Sequence, residues 1–118
     1  MNLLNSISSN NNLDSTKYQL CISDNHSNDN TQDVVRMFED KLNLSYRRND
    51  SNIGMARNIL SSVEMAKGEF VWMIGDDDLL LPNAINCVNE LIIDFPKVDF
   101  FYINSFHLES AYIDSFSH

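Results

Sequence analysis

The sequence predicts an α/β fold with a mostly parallel sheet and flanking helices, because apolar runs of strand length alternate with segments of helical periodicity. The clearest run is Phe70–Ile74, which is apolar throughout and typical of a strand covered on both faces. Polar loops follow the expected strands. With 118 residues and 43% hydrophobic content, the chain is long enough for one small domain and not for two.

The elements are expected in the following order along the chain. Residues 1–17 read as the end of a helix that continues into a polar loop rich in Ser and Asn. The expected strands cover residues 18–22, 44–47, 70–74 and 99–103. The expected helices cover residues 31–42, 55–66 and 82–93. Residues 105–118 lose periodicity, so we expect a single domain with its core in residues 18–104 and a poorly defined tail.

Each expected helix has its own start signal and apolar face. Thr31 can cap the first, whose face would carry Val34, Val35, Phe38 and Leu42. The second would pack through Ile59, Leu60, Val63 and Met65 or Ala66, and Gly68 follows its end. Pro82 suits the first turn of the third.

Charge and cysteine content exclude several classes of protein. The net charge of −9 argues against a nucleic-acid-binding or anionic-membrane surface, although a divalent cation could still bridge the chain to a phosphate ligand. Cys21 and Cys87 lie far apart in apolar contexts, which favours two buried, reduced thiols over a disulfide, and no zinc-ligand spacing is present. We expect a cytoplasmic protein without a transmembrane segment, with peripheral attachment at the inner membrane face as the alternative.

The run from Gly75 to Asp78 (GDDD) is the most acidic feature and directly follows the expected strand 70–74. Adjacent carboxylates repel one another, and Mg²⁺ or Mn²⁺ would relieve that repulsion while binding substrate phosphates. The alternative is that these aspartates favour the N-terminus of the helix near Pro82 through its dipole. Composition alone does not favour the metal site over the helix-dipole interpretation.

Two other polar segments lie where parallel strands would end. Asp24 and Asn25 follow the first strand and could hydrogen-bond a base or ribose, or they could simply form a turn. His26 fits a solvated loop residue better than a catalytic base. Before the second helix, backbone N–H groups and Arg57 could meet a phosphate. Alternatively, Asn52 and Gly54 only shape the helix entry and Arg57 pairs with a carboxylate.

Four segments carry a family resemblance when they are taken in order. They are Ile22–Ser27 (ISDNHS), Asn52–Asn58 (NIGMARN), Ala66–Phe70 (AKGEF) and Gly75–Pro82 (GDDDLLLP). In this order and spacing they resemble the family 2 glycosyltransferases, whose GT-A fold is Rossmann-like. The match runs from about Tyr18 to Asn104, and Leu3–Ile7 is similar to the end of that family's first helix.

The resemblance implies transfer of a sugar, with inversion, from a nucleotide-diphosphate donor to a hydroxyl of a saccharide or lipid-linked saccharide. It implies nucleotide or donor contacts for Asp24, Asn25, Arg57, Asp76 and Asp77, and a divalent cation on Asp76 and Asp78. The register of the family's aspartate-any-aspartate motif within the three aspartates is ambiguous. Cell-surface polysaccharide biosynthesis is the commonest setting of the resembled family.

The sequence departs from the family pattern at both ends. The family's first strand, which lies in the middle of its sheet, and the catalytic base beyond the last strand have no counterpart, so we expect a partial donor-binding domain. Glu109 and Asp114 have no supporting context as a base, and the catalytic residue is left unassigned. The alternatives are an inactive remnant that only binds nucleotide and metal and, ranked lower, a receiver-like signalling domain.

Overall fold

A computed structural model describes residues 2–105 of the chain. Its elements are α1 (Asn2–Ser8), β1 (Leu20–Asp24), α2 (Thr31–Arg36), β2 (Leu44–Arg48), α3 (Met55–Glu64) and α4 (Ala84–Asp94). The α/β class and the order of these elements agree with the sequence prediction. Strand β1 is shifted by two residues from its predicted position, a common difference at the ends of elements. Helix α2 ends at Arg36 instead of residue 42, so the predicted second half of this helix forms turns.

Strands β1 and β2 form a parallel pair whose register runs from Leu20 opposite Leu44 to Asp24 opposite Arg48. Side chains of a strand alternate between the two faces of a sheet. Leu20, Ile22 and Leu44 therefore point to one face, where they pack against the buried core. Ser23 points to the other face, where its hydroxyl contacts side chains of α3. The pair is thus covered by apolar contacts on one face and by polar contacts on the other.

The core joins α1 to the segment that begins with α2. Leu4 and Ile7 of α1 are buried together with Phe38 and Leu42, which stand in the turns that follow α2. From the C-terminal part of the chain, Leu80 and Ile85 pack against this cluster. Two of its four buried residues therefore come from the segment that was expected to be a helix end and polar loop.

Most of the expected packing stripe of α3 is exposed, and only Met65 and Ala66 at its end are half-buried. Ile59, Leu60 and Val63 are 43%, 61% and 36% exposed, whereas Ser61 on another side of the helix is 8% exposed. The reason is that α3 meets a polar sheet face, on which Ser23 and Arg47 hydrogen-bond to Ser61. The hydrophobic periodicity correctly predicted a helix, but the prediction of the side that contacts the sheet was wrong.

The two later strands predicted by the sequence are absent from the sheet. Phe70–Ile74 and residues 99–103 do not form strands, and among residues 2–105 the only sheet is the β1–β2 pair. The rings of Phe70 and Phe101 contact each other at a centroid distance of 5.8 Å, but no backbone hydrogen bond joins the two described segments. A strand needs a neighbour to pair its N–H and C=O groups, and apolar content alone does not provide one.

Both cysteine thiols are free, as predicted. Cys21 is half-buried, and burial raises the pKa of its thiol more than the charge of Lys67 lowers it. Cys87 is exposed rather than buried, and α4, in which it lies, has no buried residue. Over residues 2–105, no helix combines the length and the apolar character that crossing a membrane requires.

Candidate functional site

Asp24 is the last residue of β1, and its carboxylate accepts hydrogen bonds from other residues of the chain. One oxygen accepts hydrogen bonds from the Tyr46 hydroxyl at 2.5 Å and the Ser27 hydroxyl at 2.8 Å. The other accepts from the Ser27 backbone N–H at 2.9 Å. The guanidinium of Arg48 lies 4.0 Å away, and the Asp24 side chain is only 3% exposed. This carboxylate therefore folds the loop after β1 back onto β2.

The ionisation of Asp24 and Tyr46 reflects their contact. Burial raises the pKa of the Asp24 carboxyl, but hydrogen bonds from Tyr46 and Ser27 and the charge of Arg48 outweigh it, so the pKa is lowered overall. Burial, followed by the hydrogen bond to Asp24 and its negative charge, raises the pKa of Tyr46 to about 12. The pair is thus held as a carboxylate and a neutral phenol at neutral pH.

Side-chain amides connect the loop after β1 to the loop after β2. The Asn25 amide oxygen accepts from Asn49 Nδ2 at 3.2 Å and from the Ile53 backbone N–H at 2.9 Å. Asn49 Nδ2 also donates to the amide oxygen of Asn58 at 2.9 Å, and Asn25 Nδ2 donates to Asn52 Oδ1 at 2.9 Å. We call Asn25, Asn49, Asn52 and Asn58 the asparagine network. It brings the carboxyl ends of both strands and the first turn of α3 to one edge.

The start of α3 depends on Gly54. Its φ of 86° and ψ of 158° lie in a region that residues with a Cβ rarely adopt, while its backbone N–H donates to Asn52 Oδ1. Arg57 is exposed in the first turn of α3. A shallow cavity of about 420 Å³ opens beside it. The cavity is lined by Arg47, Asn49, Ile53, Arg57, Leu60, Ser61 and Glu64.

The acidic run forms a tight turn with two carboxylates over its glycine. The Asp78 backbone N–H donates to the Gly75 carbonyl at 3.1 Å, and the Gly75 N–H donates to Asp78 Oδ2 at 3.0 Å. A Cβ added at Gly75 would lie 3.0 Å from an Asp77 carboxylate oxygen and 3.1 Å from an Asp78 oxygen. The absence of a Cβ at Gly75 therefore leaves room for the carboxylates of Asp77 and Asp78, which are exposed like that of Asp76.

This turn has the donor chemistry of a divalent-cation site but not a complete protein cage. Across residues 2–105, no group of three His, Cys, Asp or Glu side chains converges in a geometry that would hold a metal. Two exposed carboxylates with hard oxygen donors nevertheless fit Mg²⁺ or Mn²⁺, which commonly complete their shells with water and substrate phosphates. Asp77 and Asp78 each place one carboxylate oxygen close to Gly75.

The structure brings together some of the predicted site residues and leaves others apart. Asn25 and the segment that begins at Asn52 meet directly, whereas within the described residues no hydrogen bond links the acidic run to the β1 loop. Tyr46 and Asn49 were not among the residues predicted from the sequence. A signal for Asn49 did exist, because it follows β2 as Asn25 follows β1, one position beyond the last pair of the register. Glu109 and Asp114 lie outside the described residues.

The model of the family described as "Glycosyl transferase family 2" matches residues 2–106, which is nearly the whole chain. The chain belongs to glycosyl transferase family 2. This membership removes the receiver-like signalling domain from consideration, since the match includes both the β1 loop and the acidic run. It also agrees with the α/β class and the parallel strand pair described above.

Two curated relatives and one solved structure give the range of similarity. Abequosyltransferase RfbV of Salmonella typhimurium is 40% identical over 87 residues, which cover 70% of this chain and 25% of the relative. Poly(ribitol-phosphate) beta-N-acetylglucosaminyltransferase TarP of Staphylococcus aureus is 35% identical over 76 residues, covering 62% of this chain and 23% of the relative. The S. aureus TarS structure in complex with UDP has a TM-score of 0.75 at 25% identity, and the match covers 80% of this chain and 28% of the TarS chain. The chain thus spans about a quarter of the length of these curated relatives.

Proposed function

We propose that this chain is the nucleotide-sugar-binding part of a metal-dependent glycosyltransferase that transfers a sugar, with inversion, to an acceptor hydroxyl. The observation that carries the proposal is the turn in which Asp77 and Asp78 each place one carboxylate oxygen close to Gly75, in a chain that belongs to glycosyl transferase family 2. A saccharide or a lipid-linked saccharide is the proposed acceptor. Cell-surface polysaccharide biosynthesis at the cytoplasmic side of the membrane is the proposed setting.

In this proposal a Mg²⁺ or Mn²⁺ ion joins the acidic run to the diphosphate of the donor. Asp76 and Asp78 are the proposed metal ligands, and Asp77 is proposed to assist them because one of its carboxylate oxygens, like one of Asp78, lies close to Gly75. The cation would neutralise the charge that builds up on the departing nucleoside diphosphate. A bridging cation also explains how a chain with a net charge of −9 can bind an anionic donor.

The nucleoside is proposed to lie along the edge formed by the β1 loop and the start of α3. Asn25 and Arg57 are the proposed direct contacts, because both stand at this edge and are at least partly exposed. Asp24 contributes to the same site by holding the loop, since its carboxylate already accepts hydrogen bonds from Tyr46 and Ser27. Asp76 and Asp77 would contact the ribose and diphosphate.

Titration calorimetry with UDP tests this proposal, because UDP is the ligand in the similar TarS structure. We expect the chain to bind UDP when Mn²⁺ is present and to lose at least tenfold in affinity when the metal is removed. Asp78→Ala should cause a loss of similar size, roughly tenfold or more, since it removes a carboxylate from the cation. Asp40→Ala is the matched control, because Asp40 is an exposed aspartate outside the acidic run.

Two results would contradict the metal assignment: metal-independent binding of UDP, or equal affinities for Asp78→Ala and the unchanged chain. The alternative of an inactive, nucleotide-binding remnant is tested separately. Incubation with UDP-sugars and saccharide acceptors decides between the two: a product whose anomeric configuration, read by NMR, is inverted would show that the chain is itself active. Binding of UDP without any transfer would favour the inactive remnant.

A further inference from the structure

We propose that Asn49 is a positioning residue that holds Asn25 in its binding orientation; this inference rests on the proposed function. Asn49 is half-buried between the two loops at the carboxyl edge of the sheet. Neither the family resemblance nor the acidic run assigns it a role. It acts through Asn25 and Asn58 and does not itself touch the donor in this proposal.

The contacts of Asn49 leave its side-chain amide no spare donor. Its Nδ2 carries two N–H groups, which donate to the amide oxygens of Asn25 at 3.2 Å and Asn58 at 2.9 Å. Its backbone N–H donates to the Asp24 carbonyl at 2.8 Å, and its own carbonyl lies 3.1 Å from His26 Nδ1. Asn49 therefore fixes both the backbone and the side chains of the β1 loop.

Asn58 anchors the other end of this connection. Its Nδ2 donates to the Ser23 carbonyl at 3.0 Å, and its Oδ1 accepts from the Ser23 hydroxyl at 2.7 Å as well as from Asn49. Asn25, at the opposite end, accepts the Ile53 N–H with the same oxygen that receives Asn49. Asn49 thus links the rigid contact between β1 and α3 to the side chain proposed to meet the nucleoside.

The chemistry of the network explains why an asparagine is needed at position 49. Asn25 and Asn58 both present an amide oxygen to it, so the residue between them must donate twice. An aspartate has the same size but offers only acceptors when ionised, and it would repel both oxygens. The Asn25 side chain would then lose one of the two hydrogen bonds to its oxygen and turn more freely.

The first test measures the network without any nucleotide. Hydrogen exchange of the Ile53 amide, followed by NMR on the full chain, should speed up about tenfold in Asn49→Ala and Asn49→Asp, because Asn25 no longer holds that amide firmly. Asn43→Ala is the matched control. Its Nδ2 also donates two hydrogen bonds, to the Ser15 and Tyr18 carbonyls, but at the opposite end of β2. Unchanged Ile53 exchange in the Asn49 variants, or equal acceleration in Asn43→Ala, would overturn the inference.

The second test measures UDP binding with Mn²⁺ in the same variants. Both Asn49 variants should bind about tenfold more weakly, whereas Asn43→Ala should stay within about twofold of the unchanged chain. If Asn49→Asp binds UDP as tightly as the unchanged chain while Asn49→Ala does not, side-chain volume matters and hydrogen-bond donation does not. That result would also overturn the inference. If the unchanged chain binds no UDP, the proposed function fails, while the exchange measurement still decides whether Asn49 positions Asn25.

Discussion

Residues 2–64 and residues 65–105 both contain apolar runs, yet they differ in how these runs are used. Every buried residue of the described chain lies in the first region, including Leu4, Phe38 and Asp24. In the second region Met73, Phe100 and Tyr102 are 69%, 78% and 81% exposed. The first region contains the β1–β2 pair, which is packed on both faces. In the second region, residues 70–74 and 99–103 have no strand beside them. Burial of an apolar run therefore depends on which segments pack against it and not on composition alone.

The largest expected effect comes from deleting an aromatic ring in each region. Phe38→Ala should destabilise the chain by about 3–5 kcal/mol, because it removes a buried ring from a small core. Phe100→Ala should change the free energy of unfolding by less than about 0.5 kcal/mol, since most of its side chain is already in solvent. Urea denaturation followed by circular dichroism measures both. Similar losses in the two variants would show that the second region is packed in solution.

A smaller effect, with a pH signature, is expected for the tyrosines. Tyr46→Phe removes a donor from the buried Asp24 carboxylate and should cost about 1.5–3 kcal/mol at neutral pH. Tyr102→Phe is the control from the second region, because that side chain is 81% exposed. Thermal unfolding should separate the two variants clearly. Equal melting temperatures would contradict the role of the Tyr46–Asp24 hydrogen bond.

The direction of the pH effect follows from the two pKa shifts. The pKa of Tyr46 is raised to about 12 in the fold, so its stabilisation is complete below pH 10 and is lost as the pH rises towards 12. The pKa of Asp24 is lowered in the fold, so its stabilisation is present above 3.8 and is lost as the pH falls through the lower folded value. Tyr46→Phe should therefore flatten the alkaline loss and move the acid loss towards pH 3.8. Unfolding curves at pH 3, 7 and 11 check this.

The smallest expected effect concerns the glycines that flank α3. Gly54→Ala should cost about 1–2 kcal/mol, because φ at this position is 86° and a Cβ makes that conformation strained although no atom would clash with it. Gly68→Ala should cost less, since its Cβ would meet only the Phe70 carbonyl at 3.3 Å. Urea unfolding measures both. A larger cost at Gly68 would mean that the chain after α3 is more tightly constrained than α3's own start.

Several elements were predictable because their signals are local. Strand β2 was expected at residues 44–47 and is found at Leu44–Arg48, and the helix expected from residue 55 begins at Met55. Hydrophobic periodicity and a glycine with a special backbone conformation act within a few residues of one another. The position of Asn25 at a strand end followed from the same kind of signal. The pairing of Asn25 with Asn49 did not, because it depends on the register of two strands 24 residues apart.

The sequence by itself determined the α/β class and an acidic run with a glycine at its start. Its ordered motifs also indicated the glycosyltransferase family. Only the tertiary structure decided that Asp24 is buried against Tyr46, that α3 meets the sheet through Ser61, and that Phe70–Ile74 has no strand partner. The physical reason is that propensity and charge belong to single segments. Burial and hydrogen bonding between strands instead depend on which segments come together.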